Sequence, residues 1–179
     1  MLEVVLVLAL GMSAPTNPEV VKLLASDSLA PLGGSAEVKA SRVDNFLPPT
    51  HDVPVDAETL LFPGVFRVRA ASRTLMPADA AALRAVLRNP ASYESYVTAC
   101  IFEPGVAYTF PSRADLLVLV CFKCEEVAFA KGNKALAKFS LTGVGKQELL
   151  KLSTKLFPEL GKQPSELPHG NQIRLTRSP

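Results

Sequence analysis

Residues 115–130, read as DLLVLVCFKCEEVAFA, constrain this chain more than any other stretch. Only the N-terminus is comparably apolar, and two of the three cysteines fall here, as Cys121-Phe122-Lys123-Cys124. On strand parity Leu116, Val118, Val120 and Phe122 share one face, and Leu117, Leu119 and Cys121 share the other. The stretch is expected to be the spine of a small antiparallel sheet. Beyond the cysteines the large apolar residues, Val127 and Phe129, are odd-numbered. Keeping them on the face of Phe122 takes a slip of one, which predicts a bulge or kink between Phe122 and Glu126. A straight strand would point Cys121 and Cys124 to opposite faces, whereas a kink brings both to one place.

Val106–Phe110 reads as the neighbouring strand, joined to the spine by a compact turn at Pro111–Ala114. A turn centred on Ser112-Arg113 sets Tyr108 opposite Leu117 and Val106 opposite Leu119. Extended further, it sets Cys100 opposite Glu125 and beside Cys124. Glu103-Pro104-Gly105 will disturb that register, so the expectation is proximity of three cysteines and not one specific pair. One reading is a disulfide from Cys100 to either Cys121 or Cys124, with one thiol spare, as suits an exported protein. A zinc site has only three thiols to use, and neither His51 nor His169 is placed in sequence to complete four ligands. Redox chemistry at Cys-x-x-Cys normally draws on a helix N-terminus, and here the pair sits on a strand without a βαβ context. Buried cysteines also serve as small apolar residues. Compartment and ligand count favour the disulfide.

Leu2–Met12 is an apolar run with one acid, Glu3. It is shorter than the roughly 20 residues a bilayer span takes. Its length, and Ser13-Ala14 after it, suit a signal peptide over residues 1–14, although no Lys or Arg precedes it. The alternative is a buried strand or helix start in a cytoplasmic protein. No cysteine follows directly, so a lipid-modified N-terminal cysteine is not expected, and no later segment reads as a transmembrane helix. The charge of +2 comes from 19 basic and 17 acidic residues, well mixed, with no basic block to track phosphates. Nucleic acid is therefore not an expected partner.

Asn17-Pro18-Glu19 has the form of a helix start, with the helix stopping near Ser26. Leu29–Ser35 reads as a loop and Ala36–Val43 as an exposed strand with Val38 inward. Asp44–Asp56 carries three prolines and is expected to be irregular. His51-Asp52 within it could orient an imidazole, but no nucleophile stands near, and the pair reads as solvated. A strand from Val65 puts Val65, Arg67 and Arg69 on one face and Phe66, Val68 and Ala70 on the other. Arg67 and Arg69 could bind an anion, but the alternation favours a solvated face. Pro77 opens a helix with Ala80, Leu83, Val86 and Leu87 on one stripe, ended by Asn89-Pro90. Lys131–Lys134 reads as a hairpin turn, with Gly132-Asn133 suited to positive φ, and Ala135–Leu141 as the return strand. Thr142 caps a helix from about Lys146 to Phe157, and residues 159–179 read as a mobile tail containing His169.

Cys100 with Pro104, then Asp115-Leu116-Leu117 running into Cys121-Phe122-Lys123-Cys124, resembles a family of uncharacterised small bacterial proteins, many with signal peptides. The resemblance covers about residues 99–157. In that family a histidine often follows the proline, and here Gly105-Val106 stands in its place. The resemblance implies export and the fold, and it brings no activity. Together these readings predict one α+β domain over residues 15–158. It would be an antiparallel meander packed against two or three helices, with an irregular N-terminal third. The expected role is a non-catalytic periplasmic or secreted binding or structural module, without cofactor. The alternative is a metal- or thiol-dependent protein using Cys100, Cys121 and Cys124.

Overall fold

The computed structural model describes residues 17–45, 60–61, 66–68, 71–94, 100–112, 115–132 and 134–161. The apolar run at 1–14, His51-Asp52, Arg69 and the tail residues from 162 on, His169 among them, lie outside the described residues. The fold is α+β: an antiparallel sheet with helices packed on one face. Its strands are β1 (Lys39–Asn45), β2 (Leu60–Leu61), β3 (Phe66–Val68), β4 (Arg73–Thr74), β5 (Val106–Phe110), β6 (Leu116–Cys121), β7 (Glu126–Lys131) and β8 (Lys134–Ser140). They run in the order β2-β3-β1-β5-β6-β7-β8, and β4 also pairs with β1. The last four strands form the expected meander.

The spine is not one kinked strand. It is a hairpin, β6 and β7, reversed by Phe122-Lys123-Cys124-Glu125 and closed by the pair Cys121 and Glu126. Glu125 takes the left-handed conformation, φ 57°, which a non-glycine residue adopts only in tight turns or under strain. The parity slip is real and has this cause. Pairs in the hairpin join even to odd positions, so Val127 and Phe129 land opposite Val120 and Val118, on the same face.

The β5–β6 register also differs from expectation by one residue. Tyr108 faces Val118, and Val106 faces Val120. Opposed residues share a face, so the expected register would have mixed the two faces of the sheet. The loop between Phe110 and Leu116 is one residue longer than a turn centred on 112–113 allows. Asp115 Oδ1 accepts a hydrogen bond from Ser112 N–H at 3.0 Å and draws that loop together.

Ala36–Val43 is not an exposed strand. β1 lies inside the sheet, with β5 on one edge and β4 and β3 on the other. Val38, Ala40, Ser41 and Val43 are all buried. Alternation is poor there because Ser41 and Val43 on the second face are buried as well as Val38 and Ala40 on the first, while Lys39 stays exposed. Leu29–Ser35 is likewise more regular than a loop, since Asp27–Gly33 forms a 3-10 helix that buries Leu29 and Leu32.

Three α-helices among the described residues cover one face: α1 (Pro18–Leu24), α2 (Pro77–Arg88) and α3 (Gly143–Leu156). Asn17 caps α1 by accepting from Glu19 N–H, and Thr142 caps α3 by accepting from Gly145 N–H. The Thr142 cap starts α3 three residues earlier than expected, at Gly143. Gly145 sits against the short 3-10 turn Pro90–Ser92, where an added Cβ would lie 2.5 Å from the Ser92 carbonyl oxygen. Only glycine permits that approach. Beyond Pro158 the chain makes one more 3-10 turn, Pro158–Gly161. Glu159 pairs with Arg42 at 3.3 Å, and Leu160 packs on the core. The expected tail therefore begins as packed structure.

The main core lies between helices and sheet. It gathers Val118, Val120, Val127 and Phe129 from the hairpin, Leu83 and Leu87 from α2, Leu149 from α3, and Tyr93, Tyr108 and Phe157. Both tyrosine hydroxyls are partnered: Tyr93 donates to Leu87 O at 2.5 Å, and Tyr108 Oη lies 2.6 Å from Ser153 Oγ. Burial pushes the Tyr108 phenol up to about 12, the Ser153 hydrogen bond opposing it in part, and burial raises Tyr93 too. Between the unfolded value of about 10 and these raised values the folded state holds more protons than the unfolded chain. The stabilisation is thus full below pH 10 and falls as pH rises through 10 toward 12. For Tyr108 alone the stabilisation lost by pH 12 is roughly 2–3 kcal/mol. Denaturant midpoints measured from pH 8.5 to 11.5 are expected to drop steeply above pH 10, and less so in Tyr108→Phe.

Candidate functional site

The second face of the sheet carries a smaller apolar cluster: Val43, Phe66, Ala107, Leu117, Leu119 and Ala130, with Val68, Phe102 and Ala128 against it. No described helix belongs to this cluster. Phe66 is on β3 and Lys138 is on β8, five steps apart in the sheet order. A flat sheet would separate them by about 24 Å. Both nevertheless line one cavity of about 310 Å³, together with Phe102, Leu119, Ala128 and the β8 residues Ala135–Ala137. The sheet must therefore curl, with this face concave. The cavity walls are apolar apart from Lys138.

Lys138 is held by a carboxylate that the strand buries completely. Glu126 is 0% exposed, and Lys138 Nζ lies 2.9 Å from its Oε1 and 3.0 Å from its Oε2. Only about a third of the Lys138 side chain reaches solvent. Its ammonium also sits 5.8 Å from the centre of the Phe102 ring, a cation–π distance. Phe102 meets Phe66 edge to face at 6.3 Å. These contacts tie the segment after Cys100 to both ends of the curled sheet.

The three cysteines converge at the base of this arrangement. Cys100 and Cys124 are joined in a disulfide, with Cα atoms 5.7 Å apart. Cys121 is a free, buried thiol. The hairpin turn brings it back against its neighbour, so that Cys124 N–H points at Cys121 Sγ at 3.3 Å. The turn is braced from outside as well: Lys123 pairs with Glu103 at 3.3 Å, Lys146 of α3 pairs with Glu125 at 2.5 Å, and Leu141 N–H donates to Glu125 O at 2.6 Å. Cys121, Glu126 and Ser140 are neighbours across three adjacent strands.

All three sequence-predicted cysteines are thus together. Arg67 pairs with Asp44 and Leu60 in the β-ladder, while its expected partner Arg69 lies outside the described residues. Among the described residues no group of three or more His, Cys, Asp or Glu could hold a metal ion. No described helix is long and apolar enough to cross a membrane. Sequence reasoning missed Glu126, Lys138, Phe66 and Phe102. Glu126 did leave a signal, as an acid inside an apolar strand with a lysine on the return strand. Phe66 and Phe102 left none, because their meeting depends on curl. No protein-family model, curated protein or solved structure matches this chain.

Proposed function

We propose that the protein is an exported, non-catalytic binding module, and that the concave face of its sheet takes a small apolar or amphipathic ligand. The observation that carries this reading is the apolar cavity with Lys138 as its one charged wall residue. Its volume falls at the small end of the range for ligand pockets, and walls of this kind with few polar groups are typical of them. Lys138 is held in place by Glu126, which gives the cavity an oriented cation at its rim. The export half of the reading rests on the apolar run at 2–12, on a disulfide suited to an oxidising compartment, and on the resemblance over residues 99–157.

The test uses the lack of tryptophan in the chain. Ala128 is half-buried in the cavity wall, so Ala128→Trp both fills the space and adds a reporter. Binding of an environment-sensitive apolar dye such as 1-anilinonaphthalene-8-sulfonate to the wild-type protein is expected to saturate at one site. Ala128→Trp is expected to weaken it by tenfold or more, about 1.4 kcal/mol, with unchanged circular dichroism. Non-saturable binding, or equal affinity in a folded Ala128→Trp, overturns the reading.

A further inference from the structure

We infer that Cys121, Cys124 and Cys100 form a thiol–disulfide exchange site, with Cys121 as attacking thiol, Cys124 as the shared sulfur and Cys100 as leaving group. Three observations meet in it. The free thiol stands three residues from a disulfide sulfur, inside one hairpin turn. The turn folds Cys124 back so that its N–H lies 3.3 Å from Cys121 Sγ. The leaving sulfur sits on a segment open to solvent: Cys100 is half-buried and Ile101 beside it is 79% exposed, whereas Cys121 is fully buried.

The step balances without any outside oxidant. Cys121 gives up its proton, and its sulfur forms a bond to Cys124 Sγ. The Cys100–Cys124 bond breaks, and its electron pair leaves on Cys100 Sγ, which takes up a proton. One disulfide and one thiol are present before and after. Exchange proceeds by thiolate attack of this kind. The product carries its free thiol on half-buried Cys100, beside the exposed Ile101.

The exchange also has a mechanical consequence, which rests on the ligand reading given above. Cys100 anchors the segment that delivers Phe102 to the cavity. Downstream that segment is fixed at Gly105, whose N–H donates to Val120 O and whose carbonyl accepts from Arg42. Once Cys100 is released, the contacts described for this segment before Gly105 are the Phe102 ring contacts, the buried Pro104 and the exposed Glu103–Lys123 pair. Such exposed pairs contribute about 0–1 kcal/mol. The exchange therefore loosens one wall of the cavity.

The experiment is differential alkylation of the full-length oxidised protein. It is incubated natively at pH 8 with N-ethylmaleimide, then denatured, reduced, labelled with iodoacetamide and digested with trypsin. Cleavage after Lys123 separates Cys121 from Cys124, so each label is assigned to one sulfur. The maleimide is expected on Cys100 at several times its level on Cys121, with a Cys121–Cys124 disulfide recovered from the unreduced digest. Cys121→Ser and Cys121→Ala are both expected to cut Cys100 labelling tenfold or more. Labelling confined to Cys121, or Cys100 labelling unchanged in either variant, overturns the exchange. The wild-type label distribution decides the matter even if both variants fail to fold. Dye binding to the Cys100-alkylated protein is expected to weaken several-fold. If the untreated protein binds no dye, the ligand reading fails while the labelling still decides the exchange.

Discussion

Phe129→Ala is expected to destabilise the protein by about 3–5 kcal/mol, the range for emptying a well-packed aromatic site. Phe129 is essentially unexposed and stands on β7 facing the helices. Its ring centre lies 6.3 Å from that of Tyr93 and 6.4 Å from that of Phe139, and those two rings stand 5.7 Å apart. Each aromatic pair adds about 0.5–1.5 kcal/mol beyond burial. The vacated space cannot collapse, because Tyr93 is held by its hydroxyl to Leu87 O and by a backbone bridge to Leu141. Against a whole stability of about 5–15 kcal/mol this loss is large. Equilibrium denaturation should show a lower midpoint with an unchanged slope. Val144→Ala, at an exposed position, should stay within about 0.5 kcal/mol of wild type. A loss below 1 kcal/mol for Phe129→Ala would mean that the three rings do not form a packed cluster.

Removing the disulfide is expected to cost about 3 kcal/mol. The cross-link joins residues 24 apart in sequence, and restricting the unfolded chain by a loop of that length is worth about 3.5 kcal/mol in the chain-entropy account. The variant must be Cys100→Ser with Cys124→Ser, since a single change leaves Cys121 a partner. Native contacts around the turn survive in that double variant: Lys146 still pairs with Glu125, and Cys121 still faces Glu126 across the hairpin. The fold should therefore persist at low temperature with a reduced denaturation midpoint. Wild-type protein held in reductant should fall to the same midpoint. Equal midpoints for oxidised and reduced wild type would show that the bond contributes nothing to stability.

The legible parts of the chain were those governed by local rules. Asn17-Pro18-Glu19 and Thr142 cap helices because an oxygen on a short side chain reaches a free N–H whatever lies farther off. Gly132 takes positive φ, 55°, in the turn between β7 and β8, as the turn chemistry requires. Parity along 116–121 sorted the two faces correctly. The misreadings came where one local signal suited two shapes. A parity slip at Phe122–Glu126 is produced equally by a kink and by a reversal, and the reversal was read as a kink. β1 lacks clear alternation because it buries Ser41 and Val43 on one face as well as Ala40 on the other, a pattern that also suits a weakly exposed strand.

By itself the sequence determined the antiparallel α+β plan, the helix caps at Asn17 and Thr142 and the proximity of the three cysteines, since each follows from periodicity, capping or chain reach. Only the tertiary structure decided which cysteines pair, and that Glu126 holds Lys138. It alone placed Phe66 and Phe102 on one cavity. Those outcomes depend on register to a single residue and on the accumulated curl of the sheet. Both are set by how all the strands pack at once, and no short stretch of sequence carries that information.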